Sequence, residues 1–266
     1  TTLYGEADTV LAYGGNAAIA QIRAQVPVTT RFVPFGHRLG VGMVGRAALD
    51  ARRGPATARL AAHDVVRYEQ QGCYSPHVFY VERGARVGLR EFAQYLAAEL
   101  AQLQRRHPRR ALSLEESAAM AGWRQSAELR ALKDDAAGLT EGEEGGWAVA
   151  YADAPLPLAP TGGPRCVQVV AVESLSEAVE IISPHAAFLQ TVGLATEPAA
   201  LYSLSERLAR AGVTRICALG AITAPEAGWH HDGRFILLDL VRMVEIESSA
   251  ERAAEGFAPY AQEDAP

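Results

Sequence analysis

The sequence predicts an α/β fold built on a mostly parallel sheet, and three observations lead there. Strand-length apolar runs alternate with helical patterns along most of the chain. Turns rich in glycine and proline punctuate them. A composition that is 49% hydrophobic over 266 residues supplies core for one large domain or two small ones.

The elements follow in order. "ADTVLAYGGNAAIAQIRAQV" reads as a strand from Thr9 to Tyr13, a Gly-Gly-Asn turn and a helix with Ile19 and Ile22 on one face, Asn16 being the candidate N-cap. "RFVPFGHRLGVGMVG" gives a second strand, ended by Pro34 and Gly36, then a glycine-spaced segment able to pass close to another backbone or a ligand. A helix from about Pro55 to Val66 precedes a loop with Cys73 and the strand "HVFYVE". Leu89, Phe92, Leu96, Leu100 and Leu103 form the stripe of a long amphipathic helix. Ser113 with Glu116 makes a capping box for the next, which runs through Met120, Trp123 and Leu129. "DDAAGLTEGEEGG" is expected to be an exposed acidic loop. Strands "WAVAY", "CVQVVAV", "LQTVGLA" and "RICALG" follow, with helices starting near Ser176 and Pro198, the latter closed by Gly212. The last segment, "AERAAEGFAPYAQEDAP", reads as a solvated tail.

Charge and cysteine content restrict the function classes. Lys and Arg number 25 against 31 Asp and Glu, a formal charge of −6 without a basic stretch, so nucleic acid is a poor partner. Apolar runs such as "RFILLDLV" fall short of the roughly 20 residues of a bilayer span, and none reads as a secretory signal. Three cysteines without a CxxC pair leave one unpaired in any scheme, which predicts reduced thiols and a cytoplasmic protein. The opening "TTLYGEADTVLAYGG" lacks an initiator methionine, and the chain is expected to be a piece of a longer one.

Cys166 and Cys217 lie inside apolar strands and read as buried small hydrophobes. Cys73, between a glycine and a Tyr-Ser-Pro bend, is the candidate nucleophile, and thiolate character would have to come from a cation, a histidine or helix-terminal N–H groups. His37, His63 and His77 are the candidates for that help; His77 heads a strand and reads as structural, while His37 sits in a glycine-flanked turn where α/β sheets place functional residues. "GWHHDGR" pairs two histidines with an aspartate but offers no further ligands at metal spacing, so a polar loop near a ligand is expected rather than a metal site. Gly14 and Gly15 in "YGGN" could cradle a phosphate at a helix N-terminus or form a plain tight turn.

Taken together, "VLAYGG", "RFVPFGHRLG", "YEQQGCYSPHVFYVE", "LQTVGLA" and "GWHHDGRFILLDLVRMVEIE" resemble the LuxC-type long-chain acyl-CoA reductases of bacterial luminescence, in the aldehyde dehydrogenase superfamily. The similarity runs in order from about residue 8 to residue 247. It implies an aldehyde-dehydrogenase-like catalytic domain at 41–247, a strand–helix remnant of the dinucleotide-binding domain at 1–40, and a tail at 248–266. It also implies that Cys73 attacks a fatty acyl-CoA to give an acyl-cysteine, which hydride from NADPH releases as fatty aldehyde. His37 becomes the acid or base for the tetrahedral intermediate, Gly14 and Gly15 the cofactor contacts, and the Cys73 N–H one oxyanion donor. Where aldehyde-oxidising relatives carry a water-activating glutamate, this chain reads "RFVPFGHRLG", which favours reduction over hydrolysis. An asparagine oxyanion donor and the ribose-binding glutamate have no counterpart, "LAPTGGPRCVQVV" standing at the latter. Acyl-protein synthetase and acyl-transferase subunits are the implied partners, and a homo-oligomer is expected. Two alternatives stay open: a fragment that cannot reduce, and a cysteine-dependent acyl thioester hydrolase or acyltransferase.

Overall fold

The computed structural model describes residues 2–258, which divide into two compact units at Gly233/Arg234. The first begins with α1 (Thr2–Glu6), β1 (Thr9–Tyr13), α2 (Asn16–Arg23) and β2 (Arg31–Phe35). β1 and β2 pair in parallel, from Thr9 opposite Arg31 to Tyr13 opposite Phe35, as a two-stranded sheet. Pro34 lies within β2, where a missing N–H costs nothing on an edge. Gly15 rather than Asn16 caps α2, because the Asn16 side chain is engaged elsewhere: its Oδ1 accepts from the His37 N–H at 3.0 Å.

The main sheet has seven strands: β3 (Leu39–Val44), β4 (Pro76–Glu82), β5 (Ala137–Glu141), β6 (Ala148–Ala152), β7 (Cys166–Val172), β8 (Leu189–Ala195) and β9 (Arg215–Ala218). Their spatial order is β5-β6-β7-β4-β3-β8-β9, parallel throughout except for β5 against β6. α3 (Arg53–Val66) and α4 (Leu89–Arg106) cover one face over Val44, Phe79, Val81, Val149, Val167 and Val169. α6 (Leu175–Ile182) and α7 (Pro198–Arg210) cover the other over Val41, Met43, Val78, Tyr80 and Val170. Between α4 and β5 runs α5 (Leu114–Lys133), opened by the expected Ser113–Glu116 capping box. This is the α/β architecture with a mostly parallel sheet that the alternation of elements predicts, and the α4 stripe of Phe92, Leu96, Leu100 and Leu103 is buried as the pattern requires.

Two segments differ from expectation. The glycine-spaced stretch Leu39–Val44 is a central strand, buried at every position. Its glycines are demanded by packing: a Cβ at Gly40 would run into the Tyr74 carbonyl, and one at Gly42 into the Phe79 ring. The segment expected as an acidic loop contains β5, an edge strand that needs pairing on one side only, and Gly138 there leaves room for the Tyr151 ring.

The second unit contains α8 (Ile236–Asp239) and α9 (Ser248–Glu255). The apolar run "RFILLDLV" contains α8, and Arg234 pairs with Asp239 at 2.9 Å. The expected tail is helical over its first residues, and its remainder, 259–266, lies outside the described residues.

α3 is tied to the loop after β9 by Asp64, which is fully buried and accepts from the Gly220 N–H at 2.6 Å and from Thr223. Burial lifts its carboxyl from 3.8 to about 6, against the opposing pull of those donors. The folded pKa lies above the unfolded one, so Asp64 contributes stability that is complete below pH 3.8 and lost as pH rises through about 6. Urea unfolding of the chain and of Asp64→Asn should therefore show the parent gaining on the variant as pH falls from 7 to 4. Gly40→Ala should lower stability by about 1–3 kcal/mol through overpacking. Gly122→Ala, in the open interior of α5, should raise it by about 0.5–1 kcal/mol, both read from unfolding midpoints.

Candidate active site

Cys73 lies on the loop that enters β4, and the conformation of that loop is unusual. Tyr68, Glu69 and Gln70 all hold positive φ, at 54°, 53° and 59°. Left-handed backbone at three non-glycine residues persists only where surroundings impose it. Arg165, 1% exposed, does so by donating to both oxygens of Glu69, at 3.1 and 2.7 Å, while its other nitrogen donates to Gln104 Oε1 and the His107 carbonyl. Gln70 is buried beside it and donates to the carbonyls of Pro76 at 2.7 Å and Cys166 at 2.9 Å.

So presented, the thiol opens into a cavity of about 490 Å³ lined by Tyr13, Gly14, Gly15, His37, His77 and His231 among others. It sits where Arg38 enters β3, His77 enters β4 and Gln190 enters β8, at the amino ends of the parallel strands. A smaller cavity of about 250 Å³ lies at the carboxyl ends, the usual ligand edge of such sheets, but it is lined by Ser174, Thr196 and Ser203 without a thiol or imidazole.

The imidazole facing the sulfur belongs to His231, whose Nε2 is 3.8 Å from Sγ. His231 is clamped between rings, stacked on Phe35 and on Trp229 at 4.6 Å each, with Phe35 stacked in turn on Tyr13. Burial, with help from Arg38, holds its pKa below the usual histidine value although Asp232 pulls the other way, so the ring is neutral at neutral pH. Burial also pushes the Cys73 thiol up, a Gln190 hydrogen bond opposing it and Asp232 adding to it. The resting pair is therefore thiol and neutral imidazole, an arrangement in which a thiol has a potential proton acceptor beside it.

Asp232 is neutralised where it stands. Oδ2 accepts from Arg38 at 3.0 and 2.9 Å, and Oδ1 accepts from the Gln190 amide at 2.6 Å. Gln190 also approaches Sγ at 3.5 Å. His37 lines the same cavity with its ring 6.4 Å from that of Phe188. His77 donates to or accepts from Thr161 at 2.9 Å and is pushed down to about 4 by burial. Gly14 and Gly15 reach the cavity at the start of α2. Cys166 and Cys217 are remote structural thiols, raised by burial to about 12 and about 11. Among the described residues, no group of three or more His, Cys, Asp or Glu side chains is placed to hold a metal, and no helix is long and apolar enough to cross a membrane.

Three residues at the thiol were not singled out from the sequence. The sequence marks His231 and Asp232 only as a polar loop near a ligand, and the approach of His231 to Cys73, 158 positions apart, has no local signal. Gln190 has one: it is a long polar side chain near the head of the mostly apolar strand "LQTVGLA", buried on both faces of a parallel sheet.

Comparison with known proteins gives a consistent picture. The chain is 26% identical over 252 residues to the long-chain acyl-protein thioester reductase of Aliivibrio fischeri, covering 92% of this chain and 48% of that protein. It is 26% identical over 246 residues to long-chain acyl-protein thioester reductase 2 of Photobacterium leiognathi, covering 91% and 47%. It thus spans about half the length of the curated relatives it matches. Among solved structures it is similar to an NADP-dependent glyceraldehyde-3-phosphate dehydrogenase from Bacillus halodurans, with a TM-score of 0.59 at 13% identity over 79% of this chain and 44% of that one. A methylmalonate-semialdehyde dehydrogenase from Oceanimonas doudoroffii matches with a TM-score of 0.59 at 14% identity over 84% and 48%. These establish an aldehyde-dehydrogenase-like fold. A family model described as acyl-CoA reductase (LuxC) matches residues 1–243, and the chain belongs to that family.

Proposed function

We propose that the chain carries the acyl-transfer half of an acyl thioester reductase: Cys73 takes a long-chain acyl group from acyl-CoA, and the acyl-cysteine is reduced to fatty aldehyde with NADPH. The observation that supports this most directly is the neutral His231 imidazole 3.8 Å from the Cys73 sulfur in a cavity of about 490 Å³. His231 Nε2 accepts the thiol proton as Sγ attacks the thioester carbon. The new S–C bond forms, the S–C bond to coenzyme A breaks, and the departing thiolate takes the proton back from His231. The backbone N–H of Cys73 is the oxyanion donor, and His37, which lines the same cavity, serves as acid or base.

The carboxylate nearest the thiol does not suit hydrolysis. Both oxygens of Asp232 are already engaged by Arg38 and Gln190, so it is a poor base for water.

The nicotinamide fits the residues present. Gly14 and Gly15 offer backbone without side chains at the mouth of α2, beside the exposed Tyr13 ring, so these would hold the cofactor. When bound, it supplies the hydride to the acyl carbon. We read residues 1–40 as part of the dinucleotide-binding side and 41–247 as catalytic. The names of the relatives point to an acyl group delivered on a protein, and thioester exchange at Cys73 would proceed in the same way from such a donor. An acyl-protein synthetase and an acyl-transferase subunit fit as partners on that reading.

Incubation of the chain with a long-chain acyl-CoA, followed by intact mass spectrometry, should show one acyl adduct that Cys73→Ala lacks and that NADPH discharges as aldehyde. An adduct that NADPH leaves in place assigns the half-reaction alone, and the absence of any adduct rejects Cys73 as acyl acceptor. His231→Ala should slow adduct formation by about 10²-fold, the lower range for loss of a general base.

A further inference from the structure

We propose that Gln190 is the positioning residue of the thiol: its side-chain amide donates to the Cys73 sulfur while the Arg38–Asp232 ion pair holds that amide in place. The inference rests on Cys73 being the reactive cysteine and adds how its sulfur is steered and its thiolate supported.

Gln190 has no exposed surface and heads a strand whose other residues are mostly apolar. A buried amide is costly unless its hydrogen bonds are met. The amide nitrogen carries two hydrogens. One goes to Asp232 Oδ1 at 2.6 Å, which leaves the other for Sγ at 3.5 Å. Its oxygen accepts from Thr191 Oγ1 at 3.4 Å.

The ion pair is what makes this arrangement useful. An unpaired carboxylate next to a thiol opposes ionisation of the sulfur. Here Arg38 neutralises Asp232, whose side chain is only 6% exposed, and also donates to the Ala187 carbonyl at 2.7 Å just before β8. Asp232 still opposes the thiolate, but held by Arg38 it also anchors the donor that supports it. The groups facing the sulfur are then His231 and Asp232 from the loop after β9, Arg38 before β3, Gln190 from β8, and the Tyr13 and Tyr74 hydroxyl-bearing rings, both of which interact electrostatically with Cys73. Gln190 is the neutral donor of the set. It fixes Sγ on the His231 side of the cavity without adding charge.

The test is the pH dependence of iodoacetamide alkylation of the full chain, read by peptide mass spectrometry so that Cys73, Cys166 and Cys217 are followed separately. Gln190→Met should move the Cys73 midpoint upward and slow its alkylation about tenfold at neutral pH, one pH unit of thiolate fraction. Asp232→Asn, which keeps Gln190 and removes the negative charge, should move the midpoint the opposite way. Continued protection of Cys166 reports that each variant is folded. An unchanged Cys73 profile in folded Gln190→Met overturns the proposal. If that variant exposes Cys166, the neutral Gln190→Leu decides: a higher midpoint supports the role, an unchanged one ends it. Acylation of the parent chain is scored apart. A flat alkylation result with an intact acyl adduct rejects Gln190 alone, whereas a shifted profile without an adduct upholds Gln190 and rejects the acyl-acceptor reading.

Discussion

The arrangement of the site depends first on a buried charge. Arg165 is sealed between the end of α4, the start of β7 and the loop before Cys73, and its pairing with Glu69 holds three successive residues in left-handed backbone. Each left-handed residue costs on the order of 1–3 kcal/mol, and the Glu69, Gln104 and His107 contacts of Arg165 act together against that strain. Gln70 adds two neutral hydrogen bonds to the same effect, and together they fix where the thiol emerges.

A second constraint works from the opposite side. The β3 backbone lies so close to the Tyr74 carbonyl that Gly40 admits no side chain, which seats the loop on the sheet. Cys73, Arg38 and Gln190 therefore converge because they mark the beginnings of neighbouring parallel strands. The aromatic stack of Tyr13, Phe35, His231 and Trp229 supplies the remaining wall and keeps the imidazole uncharged.

Much of this was legible in the sequence. Period-two and continuous apolar runs identify β1, β4 and β6 to β9, and the Phe92–Leu103 stripe and the Ser113 box identify α4 and α5. β3 was illegible as a strand because the glycines that weaken its propensity are there for packing against Tyr74 and Phe79, which only the folded neighbours reveal. Asn16 looked like a cap and instead binds the His37 N–H, a competition between local and distant acceptors that sequence cannot weigh. The loop carrying Cys73 stood out through its glycine and proline. Its partners did not, because ion pairing of Arg38 with Asp232 spans 194 positions.

That separation has a consequence for how the protein comes into being. Chains are made from the amino end, and Cys73 leaves the ribosome long before Gln190, His231 and Asp232 exist. Until those residues arrive, the cysteine lacks the imidazole and amide neighbours that it has in the fold. The Cys73 environment is thus completed only once Asp232 has emerged and folded back against Arg38 and Gln190.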